Sequence, residues 1–360
     1  MTKLHIFKTL RWRHWLLAVM VAGITALRFS KGCGTAYTFD IYPKIGGLLS
    51  PLSGYIPFAV GDLFIFLSII WVFAYPIYAV RHKKRKVKTA LCTVAEYLLW
   101  IYVWFYAAWG LNYSQPDIYS RMDMHPVKVS ATAFKQFAYR YADSLNATYT
   151  DMTIYDKEQM EHDILQYFCN MTQGDKTQAL GINAPFNLHP HAKTMMFSGL
   201  SSMAGVTGSM APFFCEFTIN DDVQGHEYPA TYAHEMSHML GVANEGEANF
   251  YSYVACTSAR DRAVRFSGYY HIFFHVVANI RPLLGDAEYE RFFKHIRPEI
   301  IDLACNDQDY WLSRRCKVID RTQNFIYNLY LRGNNVDGGL KSYHGVIGII
   351  MAWENKKRHI

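Results

Sequence analysis

At 360 residues the chain has room for two domains, and its 51% hydrophobic and 16% aromatic content is high for a water-soluble protein. The formal charge of +6 is unevenly spread: residues 1–115 hold 13 Lys/Arg against three acids (Asp40, Asp62 and Glu96), and the remainder holds 23 against 27. Basic charge confined to an apolar third is a membrane-topology pattern and argues against nucleic acid as a partner; seven cysteines without a CxxC pair argue against a cysteine-based structural metal site.

In chain order, Lys3, Lys8, Arg11 and Arg13 precede an apolar run from Trp15 to about Phe29. No small-x-small cleavage site follows it, so the spacing predicts an uncleaved anchor over about 13–29. A turn-rich stretch leads to a second run, 55–80, long enough to cross a bilayer. Asp62 lies near its start. An acid inside a span is a functional suspect, but this one stands at the entrance, where the headgroup level or another helix accommodates it. RHKKRKVK (81–88) carries six Lys/Arg, and a third run over 89–112 ends in Trp100, Tyr102, Trp104, Tyr106 and Trp109, as in an interfacial aromatic belt. The positive-inside rule puts the N-terminus and 81–88 in the cytoplasm. Three spans then leave everything after Tyr113 outside it, giving a membrane domain over 1–115 and an extracytoplasmic domain over 116–360.

After a linker broken by Pro116 and Pro126, apolar residues recur at helical spacing over 130–146 and again over 155–169. Between 194 and 220 short apolar alternations punctuated by Gly and Ser predict strands and turns. Phe217–Asn220 reads either as an edge strand to which a substrate backbone could add or as an ordinary core strand. Most of the cysteines read as buried thiols; Cys305 and Cys316 could pair outside the cytoplasm.

The stretch YAHEMSHMLGVANEGEANFYSYVAC, 232–256, carries the chemistry. His234 and His238 lie one helical turn apart in an HExxH pattern, so both imidazoles can reach one metal ion. Glu235 beside the first ligand can take a proton from a water held there. Pro229 suits a first helical turn, nothing breaks the run from Ala230 to Leu240, and Gly241 supplies a stop. A catalytic zinc site wants a third protein ligand. Glu245 and Glu247 compete, and on a helix they point about 200° apart. With Glu245 inward, Ala248 and Asn249 share its face; with Glu247 inward, Phe250 and Tyr251 crowd the metal. Asn244-x-x-Glu247 also reads as a capping box. The pattern favours Glu245, with Glu247 the alternative.

Residues 257–333 read as helical. His271 and His275 are one turn apart, without a neighbouring acid, and read as packed or capped histidines. Tyr343, Tyr269 and His344 are the candidates for a donor to a developing oxyanion. A Gly-started helix ends the chain near Arg358, too short and too charged for a fourth span.

The spacing of Glu245, Ala248 and Asn249 resembles the glutamate helix of the gluzincin metallopeptidases, although the interval from His238 is short for them. There the Asn position implies that Asn249 bonds a metal-bound imidazole. Nearly the whole chain resembles a bacterial family of membrane proteins of unknown function with three N-terminal spans and an HExxH domain; YPKIGGLLSPLSGYIPFAVGDL, WGLNYSQP, HEMSHMLGVANEGEANFYSYVAC, RFSGY and GGLKSY carry the likeness. The resemblance implies a mostly helical α+β protein of the bacterial inner membrane, three transmembrane helices followed by a zincin-like domain with a small β-sheet. It implies Zn²⁺ as cofactor and zinc-dependent hydrolysis of a peptide or protein substrate. The rivals are a catalytically inactive zinc-binding scaffold and a membrane transport or assembly subunit working through Asp62.

Overall fold

The N-terminal runs lack a polar face, and in the computed structural model they form helices that bury little of their surface. The structure describes residues 11–127, 129–151, 154–173, 181–182, 192–334 and 345–359. The first elements are α1 (Trp12–Arg28), α2 (Lys31–Ala36), α3 (Tyr42–Gly54), α4 (Val60–Arg81) and α5 (Val87–Ala108). α4 and α5 are long and apolar enough to cross a membrane, and α1 with the sharply bent segment after it is a third candidate. α4 leaves Ile65, Leu67, Ile69 and Phe73 exposed, as a lipid-facing helix does. α1 and α5 are joined by an ion pair, Arg13 to Glu96 at 2.9 Å.

Both later candidate spans are shorter than the apolar runs suggest. Residues 55–59, with Pro57, form a bend before Val60. α5 gives way to a 3₁₀ turn, Gly110–Ser114, in which Asn112 is buried and accepts from the Thr38 hydroxyl at 2.9 Å.

Next come α6 (Ile118–Arg121), α7 (Ala131–Thr148) and α8 (Lys157–Gln173). α6 and α7 open on side-chain caps, Asp117 and Ser130. α7 buries Phe134, Phe137, Tyr141 and Leu145 on one face. The sheet is small: β1 (Lys193–Thr194), then α9 (Ser198–Ala204), β2 (Gly208–Ala211) and β3 (Glu216–Ile219). Its order is β1-β3-β2, with β3 parallel to β1 and antiparallel to β2. Phe217–Ile219 is therefore the central strand, not the edge. β3 is buried along its whole length, and the edge strands are β1 and β2.

The rest is helical: α10 (Tyr228–Met239), α11 (Glu245–Thr257), α12 (Arg262–His271), α13 (Phe273–Leu284), α14 (Asp286–His295), α15 (Pro298–Arg314), α16 (Lys317–Gly333) and α17 (Val346–His359). α10 and α11 stand at the centre of the core, where Tyr232, Phe250 and Tyr251 are fully buried. α17 is a core helix, its Val346 and Ile350 buried and Trp353 packed edge-on against Phe250. All seven thiols are free; Cys215 and Cys256 are buried, whereas Cys33, Cys92 and Cys305 are exposed. The expectation that most are buried does not hold, because Cys33 and Cys92 lie on α2 and α5, which have little protein around them.

Polar side chains tie the N-terminal helices to this core. Lys193 donates to Glu216 at 2.5 Å and to the carbonyls of Ser53 and Phe58; Glu216 also accepts from the Gly61 N–H at 2.6 Å. Asp62 accepts from the Met196 N–H at 2.9 Å, so it stands at the mouth of α4 and holds the loop after β1.

Candidate metal centre

α10 forms where the sequence predicts it. Pro229 lies in its first turn, and Gly241 ends it at φ +91°, where a Cβ would meet the Tyr42 ring at 3.2 Å. The last carbonyls of a helix lack intrahelical partners, and here the N-terminal helices supply them. Trp109 Nε1 donates to His238 O at 2.8 Å, the Tyr42 hydroxyl to Met239 O at 2.6 Å, and Gln115 to Gly241 O at 2.8 Å. The end of the HExxH helix is thus fixed to the end of α5.

His234, His238 and Glu245 converge. The two Nε2 atoms stand 3.1 Å apart, and Glu245 Oε2 lies 3.2 Å from one and 3.4 Å from the other. Ligands about 2.0–2.1 Å from a tetrahedral metal stand roughly 3.3 Å from one another. Two nitrogens and one carboxylate oxygen at this spacing fit a metal ion and leave a tetrahedral position open towards the cleft. The His238 Nδ1 bonds Val242 O at 2.7 Å, which puts the proton on Nδ1 and aims the Nε2 lone pair inward. His234 Nδ1 is buried without a hydrogen-bond partner.

The three groups are strongly coupled electrostatically. Burial works against charge on Glu245, but His238 and His234 outweigh it and hold the carboxyl well below its ordinary range. His238 is pushed the other way, to about 9, since Glu245 overcomes the effect of its burial. Burial raises Glu235, with partial relief from His234 and His238. A carboxylate with raised affinity for protons suits a general base.

The two competing glutamates separate cleanly. Asn244 caps α11 by accepting from the Glu247 N–H at 3.1 Å, but the Glu247 side chain does not complete a capping box. It turns away from the histidines to pair with the buried Arg121 and to accept from the Ile118 N–H at 3.0 Å. Asn249 bonds neither ligand imidazole. Its Oδ1 accepts from His271 Nε2 on α12 at 2.9 Å; the centre of the His271 ring is 5.9 Å from that of His234. Burial, with His234 and His275 nearby, lowers His271 to about 3, so it is neutral at physiological pH.

These groups line a cleft of about 870 Å³, large enough for several residues of a peptide. β2 forms one side, so close that a Cβ on Gly208 would lie 2.5 Å from Glu235 Oε1. Ile65, Phe105 and Trp109 form another, and Asp320, Gln323, Asn324 and Tyr327 of α16 close it. The Tyr327 hydroxyl donates to Glu245 Oε1, the oxygen turned away from the imidazoles. Sequence reading passed over Tyr327, yet positions 320, 323, 324 and 327 carry a signal: polar residues at helical spacing on a helix whose other face is apolar. Tyr269, predicted at the cleft, instead packs against Tyr141 and Tyr253, drawn there by core aromatics. Tyr343 and His344 lie outside the described residues.

Comparison with curated protein sequences and with solved structures gives no match. A family model described as a protein of unknown function (DUF3810) matches residues 37–351, a span that contains the fold's core, the ligand cluster and two of the three candidate spans. The chain belongs to the DUF3810 family.

Proposed function

We propose that the protein is a membrane-anchored, zinc-dependent endopeptidase with a zincin-like, gluzincin-like catalytic domain over 116–360. One observation carries the reading: His234, His238 and Glu245 bring three ligand atoms within 3.1–3.4 Å of one another, with Glu235 buried beside them in a peptide-sized cleft. His234, His238 and Glu245 would hold Zn²⁺, which when bound lowers the pKa of water and polarises a carbonyl. Glu235 takes the proton of the attacking water and returns it to the leaving amine. The edge strand β2 borders the same cleft and gives an extended substrate a strand to pair with, a role the sequence reading had offered to Phe217–Asn220. Purified protein should hold about one zinc per chain, and Glu235→Gln should keep the metal while removing peptide cleavage. Metal retention with undiminished turnover would overturn the catalytic role, and a wild type that binds zinc but cleaves nothing would be the inactive scaffold.

The charge pattern sets the topology of this reading: α1, α4 and α5 as three spans of a bacterial inner membrane, the N-terminus and residues 81–88 cytoplasmic, the catalytic domain outside. A reporter active only outside the cytoplasm should work when fused after Asn112 and stay silent after Lys88; the reverse would refute the orientation.

A further inference from the structure

Resting on the peptidase reading, we propose that the cleft takes polypeptide segments already tethered to the bilayer, cut close to their membrane anchor. The first observation is where the cleft lies. Ile65 of α4 and Phe105 and Trp109 of α5, helices apolar enough to cross a membrane, line the same cavity as His234 and Glu235. The loop between β2 and β3 is pinned to these helices: Trp104 Nε1 donates to Phe213 O at 3.1 Å, and the Phe64 and Phe213 rings are 5.0 Å apart. A peptide reaching Glu235 therefore passes beside the ends of two spans, at the depth where the chain enters the membrane.

The second observation is α16. On a helix packed against a water-soluble core the apolar face turns inward; α16 does the reverse, with its polar residues on the cleft and Val318, Phe325, Ile326 and Leu329 exposed. A helix with an exposed apolar stripe is suited to lie in the plane of a membrane surface. Its end is fixed to the span helices, since Arg28 donates to Gly333 O and the Tyr106 hydroxyl donates to Asn334 at 2.6 Å. α9 continues the surface, exposing Leu200 and Met203, with the preceding Phe197 5.1 Å from Phe66 of α4. The lipid-facing surface of α4 thus runs on through α9, with α16 nearby, around the mouth of the cleft. Lipid is the occupant that this continuity selects.

The test uses full-length protein in phosphatidylethanolamine–phosphatidylglycerol vesicles and a randomised peptide library presented in three forms: soluble, attached directly to a transmembrane anchor, and attached through a flexible spacer of about 20 residues. Both anchored forms have the same surface density, so a difference between them reports position rather than concentration. Directly anchored peptides should be cut about tenfold faster than spaced ones, with cuts clustered near the anchor and none by the Glu235→Gln variant. Equal cutting of all three forms, or faster cutting of soluble or spaced ones, would overturn the proposal and leave the peptidase reading standing. Cleavage of none by zinc-loaded protein would overturn both.

Discussion

From Glu245 to Cys256 every residue of α11 is buried, whereas α16, across the cleft, leaves Val318, Phe325, Ile326 and Leu329 between 55% and 73% exposed. The two helices use amphipathicity in opposite senses. α11 surrounds one carboxylate with core, and a buried charge persists only where partners meet it, so Glu245 is held by the two imidazoles and Tyr327. α16 keeps its polar groups solvated in the cleft. The floor therefore fixes the two imidazoles and Glu245 by packing, and the wall turns its polar groups towards the cleft. Substitutions in the floor should act on metal, base and stability; substitutions in the wall should act more gently.

The sharpest way to break this division is within the floor, at two glutamates two positions apart. Glu245→Ala should lower zinc affinity by orders of magnitude, read by competition with a chelator, because two imidazoles alone make a poor site. Glu247→Ala should keep the metal and instead cost about 3–5 kcal/mol of stability by leaving Arg121 charged and buried, read from unfolding of the detergent-solubilised protein. A loss of only about 1 kcal/mol, that of one ordinary hydrogen bond such as the one from the Ile118 N–H, would mean that the pairing with Arg121 contributes nothing. Metal loss from Glu247→Ala would reverse the ligand assignment.

What was legible follows the same division. That His234, His238 and Glu245 come together could be read because they sit on consecutive helices within twelve residues, where helical spacing puts the two histidines on one face and separates Glu245 from Glu247. The long apolar helices were legible from their unbroken apolar runs, but their ends were not, because Pro57 and the turn at Gly110 act through geometry rather than composition. The Arg121–Glu247 pair and the contact of Asn249 with His271 join residues far apart in sequence or on different helices, and no local pattern announces them. Phe217–Asn220 carried an alternation that suits an edge or a core strand equally; only the pairing on both sides places it at the centre.

A smaller effect tests how the floor meets the edge strand. Gly208→Ala adds a Cβ 2.5 Å from Glu235 Oε1 and 2.6 Å from its Cγ, so the carboxylate must move. A displacement near 1 Å at a reacting group costs about 10²-fold in rate, and zinc content should be unchanged. Unaltered turnover would show that β2 does not set the position of the base.

The smallest effect is expected where the wall touches the floor. Glu245 offers Oε2 to the imidazoles, and its Oε1 accepts from the Tyr327 hydroxyl. Such a bond to a ligand carboxylate fixes its rotation, and losing it typically weakens metal binding about tenfold or somewhat more. Tyr327→Phe removes only the oxygen and keeps the ring, so packing of α16 should persist while a chelator strips zinc about tenfold more readily. If Tyr327 acts solely by orienting Glu245, zinc-saturated Tyr327→Phe should regain wild-type turnover. A deficit that survives saturation would assign the hydroxyl to the substrate instead, and would place α16 on the reaction's side of the cleft. Unchanged affinity together with unchanged turnover would uncouple α16 from the metal altogether, leaving the floor to hold its ligands by packing alone.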